Sequence, residues 1–303
     1  MSQTNQERGR SNKTILLTVV VFVVVIAVAL VAGYYLAEVL APTPKIAVLD
    51  VDTQVTNLLS QLTERQINYA LNAPDIKGVV IAINSPGGGA SAGHDIYFQL
   101  LKLREEKPVV ASVDIGAFSA AYQIAVAANE IYAKPASFVG NVGVIMGAPQ
   151  PEQLSENVIT TGPFKSTGGS ATSVLQKQDL LYFDFRDTVI AERSAAPNQW
   201  TEEKLPANQL ASGEIWVGIE AMEYGLIDGI GSKLDAADAA AAMAGIRKYQ
   251  LVNLRDEYLD SLDDTALTSN TELFEQLDTQ PQIDLTNAEY EWPTFYQLYI
   301  PLE

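Results

Sequence analysis

Gly116-Ala117-Phe118-Ser119-Ala120-Ala121-Tyr122 lies between two stretches of different character. Before it runs Pro108-Val109-Val110-Ala111-Ser112-Val113, short and β-branched, as a buried parallel strand should be. After it runs Gln123-Ile124-Ala125-Val126-Ala127-Ala128, rich in alanine and long enough for a helix. Ser119 is therefore expected near a helix N-terminus, beside unpaired backbone N–H groups and the positive end of the helix dipole. A negative charge is favoured there. Taken alone, a serine at that place reads first as an N-cap or as a small residue under a tight turn.

The same alternation extends outward. Strand-like runs fall at Ile46–Val51, Val79–Asn84, Val109–Val113 and Glu130–Ala133. Helical stretches separate them, among them Gln54–Leu71 and Ala92–Leu103, with apolar residues at helical spacing. Buried strands alternating with helices predict an α/β domain with mostly parallel pairing. Residues 174–245 read as mainly helical, broken at Gly225-Leu226-Ile227-Asp228-Gly229.

Composition excludes several chemistries. The 303 residues carry 37 acidic and 19 basic side chains, a net charge of −18, which argues against nucleic acid as a partner. The absence of cysteine excludes disulfides, thiolate metal sites and a cysteine nucleophile. The single histidine, His94, excludes a multi-histidine metal site, so no metal or other cofactor is expected. The acidic excess is concentrated beyond Gln250, where Arg255 is the only basic residue, and the end of the chain adds Trp292, Phe295, Tyr296 and Tyr299.

Near the N-terminus, residues 1–14 are polar and include Arg8, Arg10 and Lys13, and Ile15 to Leu36 follow without a charge. That length suits a membrane-crossing helix, and Leu16 to Val31 shows no polar face. A cleavable signal peptide is the rival reading, but its apolar core would be shorter and no small-x-small cleavage site closes this one. The basic residues before the span and Glu38 after it place the N-terminus in the cytoplasm and the rest outside it. Residues 37–44, with Ala41-Pro42-Thr43-Pro44, form a stiff linker.

Three further stretches bear on Ser119. In Asn84-Ser85-Pro86-Gly87-Gly88 the glycines allow backbone N–H groups to face a developing oxyanion. A phosphate cradle competes, but the P-loop Lys-Ser/Thr pair is absent, and a plain glycine turn remains open. A serine nucleophile needs a base. His94 reads better as a surface or partly packed helix residue, which leaves a lysine, and Lys165 in Gly162-Pro163-Phe164-Lys165 has the most suggestive setting. The third stretch is Gly140-Asn141-Val142-Gly143-Val144-Ile145.

Together these motifs resemble the signal peptide peptidase A family of membrane-anchored serine peptidases. The likeness continues through Ala211-Ser212-Gly213-Glu214-Ile215-Trp216-Val217-Gly218 and Gly225-Leu226-Ile227-Asp228, so it covers roughly Ile46 to Ile246. The resemblance implies a Clp/crotonase-like superhelical spiral of ββα units over residues 45–250, followed by an acidic tail, residues 251–303. It implies a Ser–Lys dyad of Ser119 and Lys165, an oxyanion hole from the Ala120 N–H and that of Gly87 or Gly88, and Asn141 orienting the lysine. It also implies ring-forming homo-oligomers, peptide substrates such as signal-peptide remnants or unfolded chains, and lipid contact through residues 15–36.

Two departures from the family pattern stand out: Ala120 and Ala121 replace glycines, and Asn141 replaces a serine. The added Cβ atoms are expected to change the substrate's approach slightly. Three other readings stand beside the peptidase: a stomatin-associated type of protease acting on a dedicated membrane partner, an inactive scaffold, and a crotonase-like acyl-CoA enzyme. The Ser119/Lys165 pair argues against the scaffold and the anchor against acyl-CoA chemistry. A Clp-type triad is disfavoured because no histidine follows Ser119.

Overall fold

In a computed structural model, the structure describes residues 17–33, 43–147, 161–162, 164–165 and 168–279. The chain divides into two compact units, residues 1–43 and 44–303. In the first, residues 17–33 are helical and every one of them is exposed. Among the described residues no helix is long and apolar enough to cross a membrane. The ends of the expected 15–36 span fall outside the described residues.

The second unit is built on strands β1 (Lys45–Val51), β2 (Ile76–Ser85), β3 (Val109–Phe118), β4 (Glu130–Ala133), β5 (Phe138–Gly140), β6 (Ile215–Val217), β7 (Gly229–Ile230) and β8 (Gln250–Asn253). Between them lie helices α1 (Asn57–Asn72), α2 (Ala90–Glu106), α3 (Ala120–Ala125) and α4 (Ala171–Ala195). Then come α5 (Ala207–Leu210), α6 (Gly218–Tyr224), α7 (Lys233–Met243), α8 (Leu254–Asp260) and α9 (Asp264–Asp278). The strands form one sheet in the order β6-β5-β3-β2-β1-β8, with β4 beside β3 and β7 beside β4. Only β5 with β6 is antiparallel. The α/β class read from the strand–helix alternation is what the chain adopts.

Strand β3 is the hinge of the architecture. Its first half, Val110 to Val113, pairs with β4, and its last residues, Gly116 to Phe118, pair with β5. The strand therefore continues beyond the β-branched run to the residue before Ser119. One face of the sheet carries the main core, where Leu62 of α1, Ile96 and Leu100 of α2 and Tyr122 of α3 cover Leu49, Val79, Ile81 and Val113. Each fully buried Leu or Ile there contributes about 1.5–3 kcal/mol. On the other face the small side chains Ala236, Ala237, Ala240 and Ala241 let α7 lie against Ile46, Val80 and Val110.

Two expectations need correction. The helix after Ser119 starts at once with Ala120 and ends at Ala125, because Val126 to Asn129 turn the chain into β4. The domain also does not end at Gln250. Strand β8 pairs in parallel with β1, Lys45 opposite Gln250, and α9 buries Phe274 and Leu277 in the main core. The acids there occupy the outer sides of packed helices. Residues 280–303, with the terminal aromatic residues, lie outside the described residues.

Candidate active site

Ser119 occupies the junction between β3 and α3 with φ 52° and ψ −123°, a conformation rare for a residue with a side chain. Such strain persists only where the surroundings over-determine it. Here the Ser119 N–H donates to the Gly140 carbonyl at 3.0 Å, while the Ser119 carbonyl accepts from the N–H groups of Tyr122 and Gln123. Tyr122 is fully buried, its hydroxyl donates to the Leu226 carbonyl at 2.7 Å, and burial pushes its phenol pKa up. The Ser119 side chain makes no capping bond, so its hydroxyl is not spent on the helix. The N-cap reading of Ser119 thus holds for position and fails for hydrogen bonding.

The glycine loop is tied down from below. Buried Ser85 donates through Oγ to the Thr53 carbonyl at 2.6 Å and accepts from the Gly87 N–H at 3.2 Å. Val55 bridges the loop on both sides, donating to the Gly87 carbonyl and accepting from the Gly89 N–H, each at 2.8 Å. Among the described residues the Gly88 and Ala120 N–H groups donate no hydrogen bond. Gly87 has already spent its donor on Ser85, so of the two glycines Gly88 has the free one.

Both alanines that replace family glycines are buried. Ala120 and Ala121 are buried in the main core, and a Cβ placed on Gly93 of α2 would lie 3.0 Å from the Ala120 Cβ. The Ala120 methyl group therefore faces Gly93 of α2.

Asn141 follows Gly140 with φ 54°. Its N–H donates to the Glu214 carbonyl at 2.7 Å and its Nδ2 to the Gly213 carbonyl at 2.8 Å. With the nitrogen end of the carboxamide so engaged, the oxygen end remains as an acceptor. Lys165 sits in a turn at residues 164–165 and is exposed, as is Phe164. The structure brings together Ser119, Gly87, Gly88 and Ala120, and among the described residues no hydrogen bond joins Lys165 to Ser119. Several of its neighbours, residues 148–160, 163 and 166–167, lie outside the described residues.

His94 is on α2, with Nε2 2.7 Å from Asp184 Oδ2 of α4 and Nδ1 2.9 Å from the Ala90 carbonyl. Both ring nitrogens are engaged, which fits the packed surface residue expected of it. Sequence reasoning missed Arg193. Its buried guanidinium grips Asp228 through two bonds, 2.8 and 2.9 Å, and Nε donates to the Gly225 carbonyl. Asp228 also accepts from the Ile131 and Asn198 N–H groups. The pair anchors the end of α4 beside the Tyr122–Leu226 bond.

A sequence profile of peptidase family S49 matches residues 102–247, the stretch holding Ser119, Asn141 and Lys165. A putative protease of Synechocystis sp. is 30% identical over 222 residues, which cover 67% of this chain and 78% of that protein. The chain belongs to peptidase family S49. Protease 4 of Salmonella typhi is 29% identical over 70% of this chain, and the chloroplastic serine protease SPPA of Arabidopsis thaliana 29% identical over 65%. These matches span only 35% and 31% of those two longer proteins. Ser119, the strained residue at the strand end, lies within the S49 match.

Proposed function

We propose that this protein is a membrane-bound serine endopeptidase in which Ser119 is the nucleophile and Lys165 the general base. The observation that carries the reading is the strained Ser119, its hydroxyl uncommitted, beside two N–H groups with no partner among the described residues, those of Gly88 and Ala120. A peptide carbonyl carbon attacked by Ser119 Oγ would place its oxygen against those donors, which stabilise the charge as it develops. A neutral Lys165 Nζ takes the hydroxyl proton and delivers it to the leaving amine. Water then attacks the acyl-enzyme, again with proton removal by the lysine, and releases the acid.

Because Lys165 is exposed in the isolated chain, this chemistry needs its Nζ brought to Ser119 and shielded from water. A ring-forming homo-oligomer provides such shielding and would admit only extended chains, in keeping with signal-peptide remnants or membrane-protein fragments as substrates. Asn141, its carboxamide oxygen open, holds the lysine. Residues 15–36 anchor the chain in the cell membrane with the N-terminus cytoplasmic and the peptidase domain outside. On this reading the sheet and helices form a Clp/crotonase-like spiral.

The test is hydrolysis of casein by the full chain in detergent, alongside Ser119→Ala and Lys165→Ala. Both variants should lose activity. Cleavage by Lys165→Ala at the wild-type rate would assign the base elsewhere. Cleavage by Ser119→Ala would reject the nucleophile.

A further inference from the structure

Gln123 lies one helical turn beyond Ser119, its own N–H donating to the Ser119 carbonyl at 3.0 Å. Its side chain is buried, with 2% of the residue exposed. The carboxamide is wedged under the first turn of α2: a Cβ on Gly93 would lie 3.3 Å from Gln123 Oε1 and 3.0 Å from the Ala120 Cβ. Gly93 in turn is one turn from the glycine loop, its N–H donating to the Gly89 carbonyl at 3.0 Å. The wedge therefore stands between α2, which follows Gly88-Gly89, and α3, which follows Ser119.

Glutamine is a costly choice at this place. Its Nε2 is buried and has no hydrogen-bond partner among the described residues. A buried donor without a partner destabilises, and an unbranched apolar side chain of similar volume would fill the gap without that penalty. Methionine is such a side chain. A residue that stability alone would not choose, held between the two walls of a site, points to a role in that site.

We infer that Gln123 is a positioning residue, whose wedged carboxamide sets the spacing between the Gly88 and Ala120 N–H groups and helps hold Ser119 in its strained conformation. This rests on the reading of Ser119 as nucleophile and of those two N–H groups as the oxyanion hole. Donors of this kind act on charge that exists only in the transition state, so a change in their spacing lowers kcat and leaves KM nearly alone.

The experiment compares full-length wild type, Gln123→Met and Gly93→Ala for kcat and KM on an unstructured polypeptide. Melting temperature and the rate of labelling by a fluorophosphonate probe are measured alongside. Gln123→Met should lower kcat about ten- to a hundredfold, the scale of a small misplacement at a reacting centre. Its melting temperature should hold or rise, since a buried unpaired donor has been removed. Gly93→Ala, which presses a methyl into the same gap, should lower kcat likewise. A Gln123→Met variant with wild-type kcat overturns the inference, and so does a kcat loss that merely follows a lowered melting temperature. If wild type labels and cleaves while Gln123→Met labels equally fast, only the inference about Gln123 falls. If folded wild type neither labels nor cleaves, the nucleophile reading falls and this one with it.

Discussion

Gly87 and Ser119 meet so closely that a Cβ on the glycine would lie 2.9 Å from the Ser119 Cβ and 2.5 Å from the Phe118 carbonyl oxygen. The loop after β2 and the turn after β3 are thus in backbone contact, and each fixes the other. This links the sequence motif Ser85-Pro86-Gly87-Gly88 to Ser119 by geometry as well as by family likeness.

Substituting the loop glycines should therefore disable the site while sparing most of the fold. Gly87 has φ +87° and Gly88 φ +157°, and a Cβ on Gly88 would fall 2.3 Å from the Val55 carbonyl oxygen. Gly87→Ala and Gly88→Ala each add strain of about 1–3 kcal/mol. Activity should drop far more than the melting temperature. A Gly87→Ala variant with wild-type kcat would refute the contact.

Removing either partner of the Arg193–Asp228 pair should be among the most damaging changes to stability. Their side chains are 3% and 2% exposed, so the survivor is left as an uncompensated buried charge. The expected loss is about 3–5 kcal/mol for Arg193→Leu or Asp228→Asn. Urea denaturation of the variants measures it. Loss of less than 1 kcal/mol, about the value of a surface pair, would show that the pair is not shielded in solution.

Asp50 supplies a pH-dependent prediction. Burial pushes its carboxyl pKa above the ordinary value, against the opposing bond from Asn253 Nδ2 at 2.7 Å, with Asp52 and Asp256 adding to the rise. A pKa raised on folding means that the folded state holds the proton more tightly than the unfolded chain. The stabilising contribution is complete below the unfolded carboxylate pKa and is lost as pH rises through the folded one. Asp50→Asn keeps an acceptor for Asn253 without the charge. It should melt higher than wild type at neutral pH and equal to it in acid, as thermal scans across pH would show. A difference independent of pH would place the effect in packing.

The sequence was most readable where one physical signal dominated. The β-branched runs of β1, β2 and β3 are long enough to be recognised, and Glu130–Ala133 is strand β4 as expected. Strands β5, β6 and β7 have two or three residues each, too few for periodicity to register, and they join the sheet only through tertiary contacts. The four residues of β8 were hidden by the acids that follow, because charge reports the outer face of a helix and not what its inner face buries. Ala120 looked like an intrusion into a glycine motif, and only the close approach of Gly93 shows where its methyl group goes. Arg193 carries no motif, and its partner lies 35 residues away in sequence. The serine and its glycine loop were legible because local backbone demands dictate them, whereas the place of Lys165 depends on the course of the chain around it.

The pairing of β8 with β1 has a consequence for how the protein is made. Until Gln250 to Asn253 have been synthesised, β1 presents its outer row of backbone donors and acceptors unpaired, with Ile46 to Val51 behind it. An exposed apolar edge of this kind is a template for pairing with other chains. The nascent protein can build the turn around Ser119 early, from contacts between β2 and β3, while this edge stays open for more than a hundred further residues. A product clipped before Gln250 would keep the strained serine and lose the strand that closes the sheet, and its fate should be aggregation.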